Sequence, residues 1–391
     1  MSRSPRPARL LRETQVLPVA MFLGSFAWSF VYVSLPFHIQ RVSTWDPVST
    51  LRWTGWILGI SPLATVAMAP FWGRLGGRGD PKRLFVATQY FQGAAFLGMA
   101  VARTLPEMLV ARLVLGLMGA ASTFAFISAG RADNPGEVRR QIAAMQSAMT
   151  VGQVIGPLCG AIAAARLGFR ESFLLGAVVL FGCGLLVQRG VRPADAAAAP
   201  PARSRRSYWR ETASVALLVL GASTQVFFLT SVLPQVMAEL GVPPASTLEV
   251  GGLLIFASGA AAALGSMLAT RLAEVLPERR LVAGLLVLSS VTVGALALAP
   301  GVATYGLLRF VQVLAIAPVF PIVVARIAHS AGGEAVGIVN ASRIGASFVG
   351  PVLATSLLAG SSSTVLYLVL ALIGMACVPL SALRAVPATA R

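Results

Sequence analysis

Gly152-Gln153-Val154-Ile155-Gly156-Pro157-Leu158-Cys159-Gly160 lies inside an apolar run from about Gln141 to about Ala165. A spacing of four puts Gly152, Gly156 and Gly160 on one helix face, where a neighbouring backbone can approach closely. Pro157 removes a rung of the hydrogen-bond ladder and permits a bend. The run therefore predicts a helix that packs tightly and can move. The alternative is an ordinary small-residue packing face.

Working outward, the rest of the chain is just as apolar. Of 391 residues, 56% are hydrophobic and only 12% charged, and the mean hydropathy is +0.79. A bilayer core needs roughly 20 mostly apolar residues per helix. Twelve such runs can be marked, at about 16–39, 53–72, 84–102, 105–130, 141–165, 173–188, 212–236, 250–270, 281–299, 303–327, 335–359 and 364–383. The expectation is an all-α membrane protein with no room for a soluble catalytic domain. Cys159, Cys183 and Cys377 all sit within apolar runs, which argues against a disulfide framework or thiolate metal site. His38 and His329 stand at opposite ends of the chain. No metal, cofactor or enzymatic activity is expected.

The net charge of +17 invites a nucleic-acid reading, but its distribution points elsewhere. With the N-terminus inside, the inner segments hold four Lys or Arg in 1–15, four in 73–83, three in 131–140, six in 189–210 and three in 271–280. The outer loops hold Arg41, Arg52, Arg103, Arg166 and Arg170. This is the positive-inside pattern, so both termini are expected in the cytoplasm. Trp45, Trp53 and Trp56 fall where indole rings mark an outer interface. Leu35-Pro36 is expected to close the first span.

Three segments resemble motifs of the major facilitator superfamily. The opening stretch resembles its motif C, G-x-x-x-G-P-x-x-G, on the fifth span of its antiporters. Gly73-Arg74-Leu75-Gly76-Gly77-Arg78-Gly79-Asp80-Pro81-Lys82-Arg83, read as a short basic loop, resembles motif A, but Gly77 stands at the family's aspartate and Asp80 at its second glycine. In the family that aspartate latches the inner side against the eleventh span, a role Gly77 cannot reproduce; Asp80, three residues away, is a candidate replacement, which leaves the latch on this side open. Arg112, four residues before Gly116, resembles the arginine of motif B. Its alternative reading is a snorkelling surface charge.

The two halves superpose internally. An offset of 197 carries Arg74-Leu75-Gly76-Gly77 onto Arg271-Leu272-Ala273-Glu274 and Arg112 onto Arg309, while 194 carries Gly156-Pro157 onto Gly350-Pro351 and Gln146 onto Asn340. The layout is a basic tail (1–15), a six-helix bundle (16–188), a Pro-, Ala- and Arg-rich linker (189–210), a second, pseudo-symmetric six-helix bundle (211–384) and a tail (385–391). Glu274 then occupies the acid position that Gly77 leaves empty.

All fourteen acidic residues lie in loops or near span ends, whereas Arg112, Arg309 and Arg343 lie within spans. An ionisable group inside a membrane is a functional candidate by default, and here the sign is positive. That disfavours a dedicated carrier of cations and favours an anionic or neutral amphipathic substrate. The candidate substrate contacts are Arg343, Asn340, Arg112, Arg309, Gln146 and Gln225. The candidate switch residues are Gly73, Gly77, Arg78, Asp80, Arg83, Glu274, Gly152, Gly156, Pro157, Gly160, Gly350 and Pro351. The resemblance implies a monomeric secondary transporter of the cell membrane working by alternating access, and motif C implies export by proton antiport. No mid-span carboxylate offers itself as a proton carrier, so Arg112 with Glu107 is the one candidate pair. An organic-anion facilitator or importer on the same fold is the alternative, and a non-transporting receptor a remoter one. Gly156 is expected to face the small-residue stripe of the eighth span, Gly251, Gly252, Ser258, Gly259 and Ala263.

Overall fold

The computed structural model describes residues 13–130, 135–191, 209–330 and 333–381. Both tails and most of the expected linker, 192–208, lie outside these. The described chain is helical throughout: α1 (Glu13–Phe30), α2 (Ser34–Val42), α3 (Pro47–Arg78), α4 (Pro81–Val101), α5 (Leu105–Leu117), α6 (Ala121–Gly130), α7 (Pro135–Leu167), α8 (Phe169–Gly190), α9 (Trp209–Phe227), α10 (Leu229–Glu239), α11 (Thr247–Val275), α12 (Glu278–Ala295), α13 (Val302–Ile316), α14 (Val319–Ser330), α15 (Gly333–Gly360) and α16 (Ser363–Ser381). Eleven spans are long and apolar enough to cross a membrane, and α1 with α2, bent by 40°, makes a twelfth.

Helix starts follow local chemistry. Asp46 caps α3 by accepting from the Val48 and Ser49 N–H groups, both at 3.0 Å, with Pro47 in the first turn. Hydrogen bonding from Ser49 holds its carboxyl below the usual value. Asp80 caps α4 through the Lys82 N–H at 2.9 Å, again followed by proline. Two expectations about local structure are corrected here. Residues 73–83 are not a loop, because α3 runs on to Arg78 and only Gly79 and Asp80 interrupt the helices. Nor does Leu35-Pro36 end the first span: Pro36 sits in the first turn of α2, where a missing N–H costs nothing.

Four spans, the first, fourth, seventh and tenth, are each built of two helices. The breaks fall at 31–33, 118–120, Phe228 and 317–318. The internal repeat of the two halves relates the first span to the seventh and the fourth to the tenth. Pro318 lies in one of the breaks and Gly119 in another, where each weakens the ladder.

Within the first half, α7 packs along α1 and α4 along α8; within the second, α15 packs along α9 and α12 along α16. The three motif glycines are used inside the first half. A Cβ at Gly156 would stand 2.9 Å from the Phe26 carbonyl oxygen and one at Gly152 2.7 Å from that of Phe22, while Gly160 meets the Phe30 carbonyl more tightly still. The stripe therefore seats α7 on α1. The expectation that Gly156 faces the eighth span is overturned. Gly350 repeats the arrangement, its face 3.1 Å from the Phe227 backbone.

The halves meet through other residues. A Cβ at Gly59 of α3 would stand 3.3 Å from the Phe348 backbone of α15, and one at Gly55 would collide with Thr355. Gly252 and Gly259 of α11 receive Ala161 and Val154 of α7. Trp56 packs edge-on to Phe348 at 5.6 Å, and Arg166 pairs with Glu249 at 3.5 Å across the same seam. These contacts occupy the middle of the spans and the end away from residues 13 and 381. At the terminal end Gly73 has open space around it, and Phe71, Gln146, Met267 and Asn340 are exposed. Among the described residues, these contacts between the halves thus fall toward one end of the spans, the sealed end, and the exposed side chains at the other, the open end.

Candidate functional site

The three intramembrane arginines have different surroundings. Arg112, fully buried on α5, donates from Nε to the Ile57 carbonyl and from Nη2 to the Leu58 carbonyl, each at 3.1 Å. In a helix the Leu58 carbonyl would accept from residue 62, which is proline and has no N–H. Arg112 supplies the missing donor. Its guanidinium also stands 5.9 Å over the Tyr32 ring at the α1–α2 break. The same helix receives help in return: Ser61, Thr65 and Trp72 of α3 donate to the carbonyls of Arg112, Gly116 and Leu117. Gln92 donates to Met118 at 2.6 Å and accepts from Trp28 at 2.8 Å, so the end of α5 is satisfied despite lying between helices.

Arg309 does in the second half what Arg112 does in the first. It donates to the Gln225 and Val226 carbonyls at 2.8 and 2.5 Å and to Gln312 at 2.6 Å, and stands 5.0 Å over Phe228. Those carbonyls close α9, where the break leaves them without helical donors. Gln225 is engaged by its side chain as well, with Ser289 donating to it at 2.7 Å and its own amide donating to the Leu370 carbonyl at 2.8 Å. Arg112, Arg309 and Gln225, expected to touch substrate, are thus placed in helix-joining networks. Nor does Arg112 pair with Glu107, whose carboxylate accepts from the Arg103 N–H at 2.7 Å instead.

Arg343 is the exception. It lies on α15 with its guanidinium 4.9 Å over the Phe320 ring, and its Nε is buried without a hydrogen-bond partner. It lines a cavity of about 130 Å³ between α9, α11, α13, α14 and α15. Asn340 is one turn away toward the open end and exposed, as is Gln146 on α7.

Of the expected switch residues, Asp80 is committed to capping α4 and to a 3.4 Å pair with Arg83. Gly77 and Arg78 lie in the last turn of α3, and Glu274 is exposed near the end of α11. The Pro351 carbonyl accepts from the Thr355 hydroxyl at 2.9 Å, and the Pro157 carbonyl lies beside Gly252.

A cluster that sequence reading passed over joins three helix ends. Arg326 of α14 reaches Glu278 of α12 at 3.1 Å and Glu211 of α9 at 3.8 Å; Glu211 is largely shielded and Glu278 about one third exposed. The available signal was an arginine near the inner end of the tenth span with two acids at the starts of the seventh and ninth. Spacing along the chain does not reveal that these ends converge.

The model of the Major Facilitator Superfamily matches residues 18–248 and 215–391, between them nearly the whole chain. The chain belongs to the major facilitator superfamily. This superfamily transporter is 27% identical over 349 residues to the uncharacterized MFS-type transporter YuxJ of Bacillus subtilis, covering 86% of this chain and 88% of that one. It is 27% identical over 197 residues to the multidrug resistance protein MdtG of Yersinia enterocolitica, a match of 49% of this chain and 46% of that protein. Among solved structures it resembles the nucleoside transporter NupG (TM-score 0.74, 11% identity, 96% and 100% covered). It also resembles a bacterial homolog of the lysosomal transporter Spinster, inward-facing and unoccupied (0.71, 14%, 95% and 94%), and the human organic anion transporter MFSD10 (0.64, 16%, 96% and 100%). The fold, a multi-pass bundle of two repeated halves, is that of a membrane transporter of small molecules.

Proposed function

We propose that this transporter exports a small amphipathic, anionic or neutral solute by alternating access, with both termini in the cytoplasm of a cell whose boundary membrane it spans. The observation that carries the reading is the one-sided closure of the seam between the halves. Gly59 on Phe348 and Gly252 on Ala161 close the end away from the termini, and the basic segments on the terminal side support a cytoplasmic orientation of that side. The described conformation is then open inward and ready to load. Separating the sealed contacts while the terminal ends come together would release substrate outside.

Export is supported by the motif C glycines, which keep α7 tight against the broken first span, and by the partial likeness to MdtG, a multidrug resistance protein. Proton antiport is part of the proposal, and its direct signature is transport into inverted membrane vesicles that rises with an imposed proton gradient. Uptake by right-side-out vesicles without a proton requirement would replace export with facilitated entry. That second reading, an organic-anion facilitator, is favoured by one observation: Arg343 is the one charged side chain among the described residues lining an apolar pocket, in a fold shared with an organic anion transporter.

A further inference from the structure

We propose that the cavity beside Arg343 is a pocket for one aromatic ring bearing a carboxylate, the anionic end of the substrate. This rests on the transport reading only for its purpose; the pocket itself is argued from its walls. Val226, Val313, Ile316 and Phe320 make it mostly apolar, Ser223 and Ser266 contribute two hydroxyls, and Arg343 contributes its sole charge. No acidic side chain is among its described lining residues, so a cationic ligand meets only repulsion there.

The contrast with the other two arginines identifies the ligand's charge. Arg112 and Arg309 have their donors directed to backbone carbonyls that proline or a helix break left free. Arg112 and Arg309 each also keep one buried guanidinium nitrogen unpaired, Nη1 and Nε, but Arg343 differs in making no hydrogen bond to any described residue, its buried Nε included. A partly shielded guanidinium with open donors against apolar walls is best matched by a carboxylate, which meets its planar fork with two parallel hydrogen bonds. Phe320 lies against the guanidinium at 4.9 Å, so one face of the fork is occupied by a ring and its edge is what remains for an anion.

The volume identifies the ligand's size. Apolar protein cavities of about 150 Å³ hold a benzene molecule, and this one measures about 130 Å³. One ring fits; a fused polycyclic body does not, and would extend toward Asn340 and the open end.

The test uses the full-length protein purified in detergent, with benzoate as probe and benzamide, benzylamine and acetate as neutral, cationic and ring-less controls. Benzoate is expected to raise the melting temperature in a concentration-dependent way, since a ligand stabilises the state that binds it, while the three controls at equal concentration do not. Arg343→Lys is expected to weaken benzoate at least tenfold, about 1.4 kcal/mol. Val313→Phe, which fills the pocket and leaves Arg343 in place, is expected to abolish the shift, and covers the case in which Arg343→Lys does not fold. Benzamide binding as well as benzoate, or acetate doing so, would overturn the proposal, as would a benzoate shift that survives Val313→Phe. Because the assay measures binding, a benzoate shift without transport in vesicles removes the transport reading and leaves the pocket standing.

Discussion

Arg112 donates to the Leu58 carbonyl at 3.1 Å, the oxygen that Pro62 deprives of its helical partner. The arginine of the fourth span thus repairs the ladder of the second. Arg112→Met should lower stability by about 3 kcal/mol, for two hydrogen bonds to a charged donor. Adding Pro62→Ala, which restores an N–H for Leu58, should recover part of that loss. Thermal unfolding in detergent checks both. If Arg112 served substrate instead, Arg112→Met would raise the transport KM and Pro62→Ala would not compensate.

Glycines inside a half and glycines between halves should fail differently. At Gly160 a side chain collides with the Phe30 backbone, so Gly160→Leu is expected to cut the yield of folded monomer in size-exclusion several-fold. Gly252 faces Ala161 across the seam, so Gly252→Leu should yield folded protein that transports at under a tenth of the normal rate. Overpacking of this kind typically costs about 1–3 kcal/mol. The same phenotype for the two variants would show that the seam does not separate during transport.

Arg326 holds two carboxylates, the partly exposed Glu278 at 3.1 Å and the shielded Glu211 at 3.8 Å. Removing it by Arg326→Ala leaves both without their cation and is expected to cost about 1–3 kcal/mol, mostly from the shielded Glu211, since solvent screens Glu278. Arg326→Ala combined with Glu211→Gln and Glu278→Gln should return most of it, because no uncompensated charge remains. A triple variant as unstable as Arg326→Ala would assign the loss to packing of the arginine stem.

Glu274 is exposed at the open end, and Gly77 occupies the matching place in the first half. An acid there can meet a partner only when the terminal ends close, so Glu274→Gln is expected to slow transport about threefold, roughly 0.7 kcal/mol on the closing step, without shifting the melting temperature. Gly77→Asp is expected to leave the rate unchanged or to slow it slightly by favouring the closed inner side. Equal, negligible effects would show that no acid at this position acts as a latch.

Composition and periodicity alone determined that the chain is a bundle of membrane helices, where the spans fall, and that it is a repeated half. The physical reason is that hydrocarbon tolerates only internally satisfied backbone, so a run of apolar residues of sufficient length has one available structure. The motif glycines and the three arginines were legible as special for the same reason: each departs from what lipid accepts. What each of them touches was decided only by the tertiary structure. Nothing in the spacing of Gly152, Gly156 and Gly160 tells α1 from α11, because a small-residue face fits any close backbone. Arg112, Arg309 and Arg343 look alike along the chain; the first two lie against carbonyls freed on other helices at Leu58, Gln225 and Val226, and the third lies against a cavity. Those carbonyls are orphaned by Pro62 and by the break at Phe228, which sequence can mark, but the donor that satisfies them comes from more than fifty residues away. Arg326, Glu211 and Glu278 converge for the same reason, as helix ends brought together by packing and by nothing local.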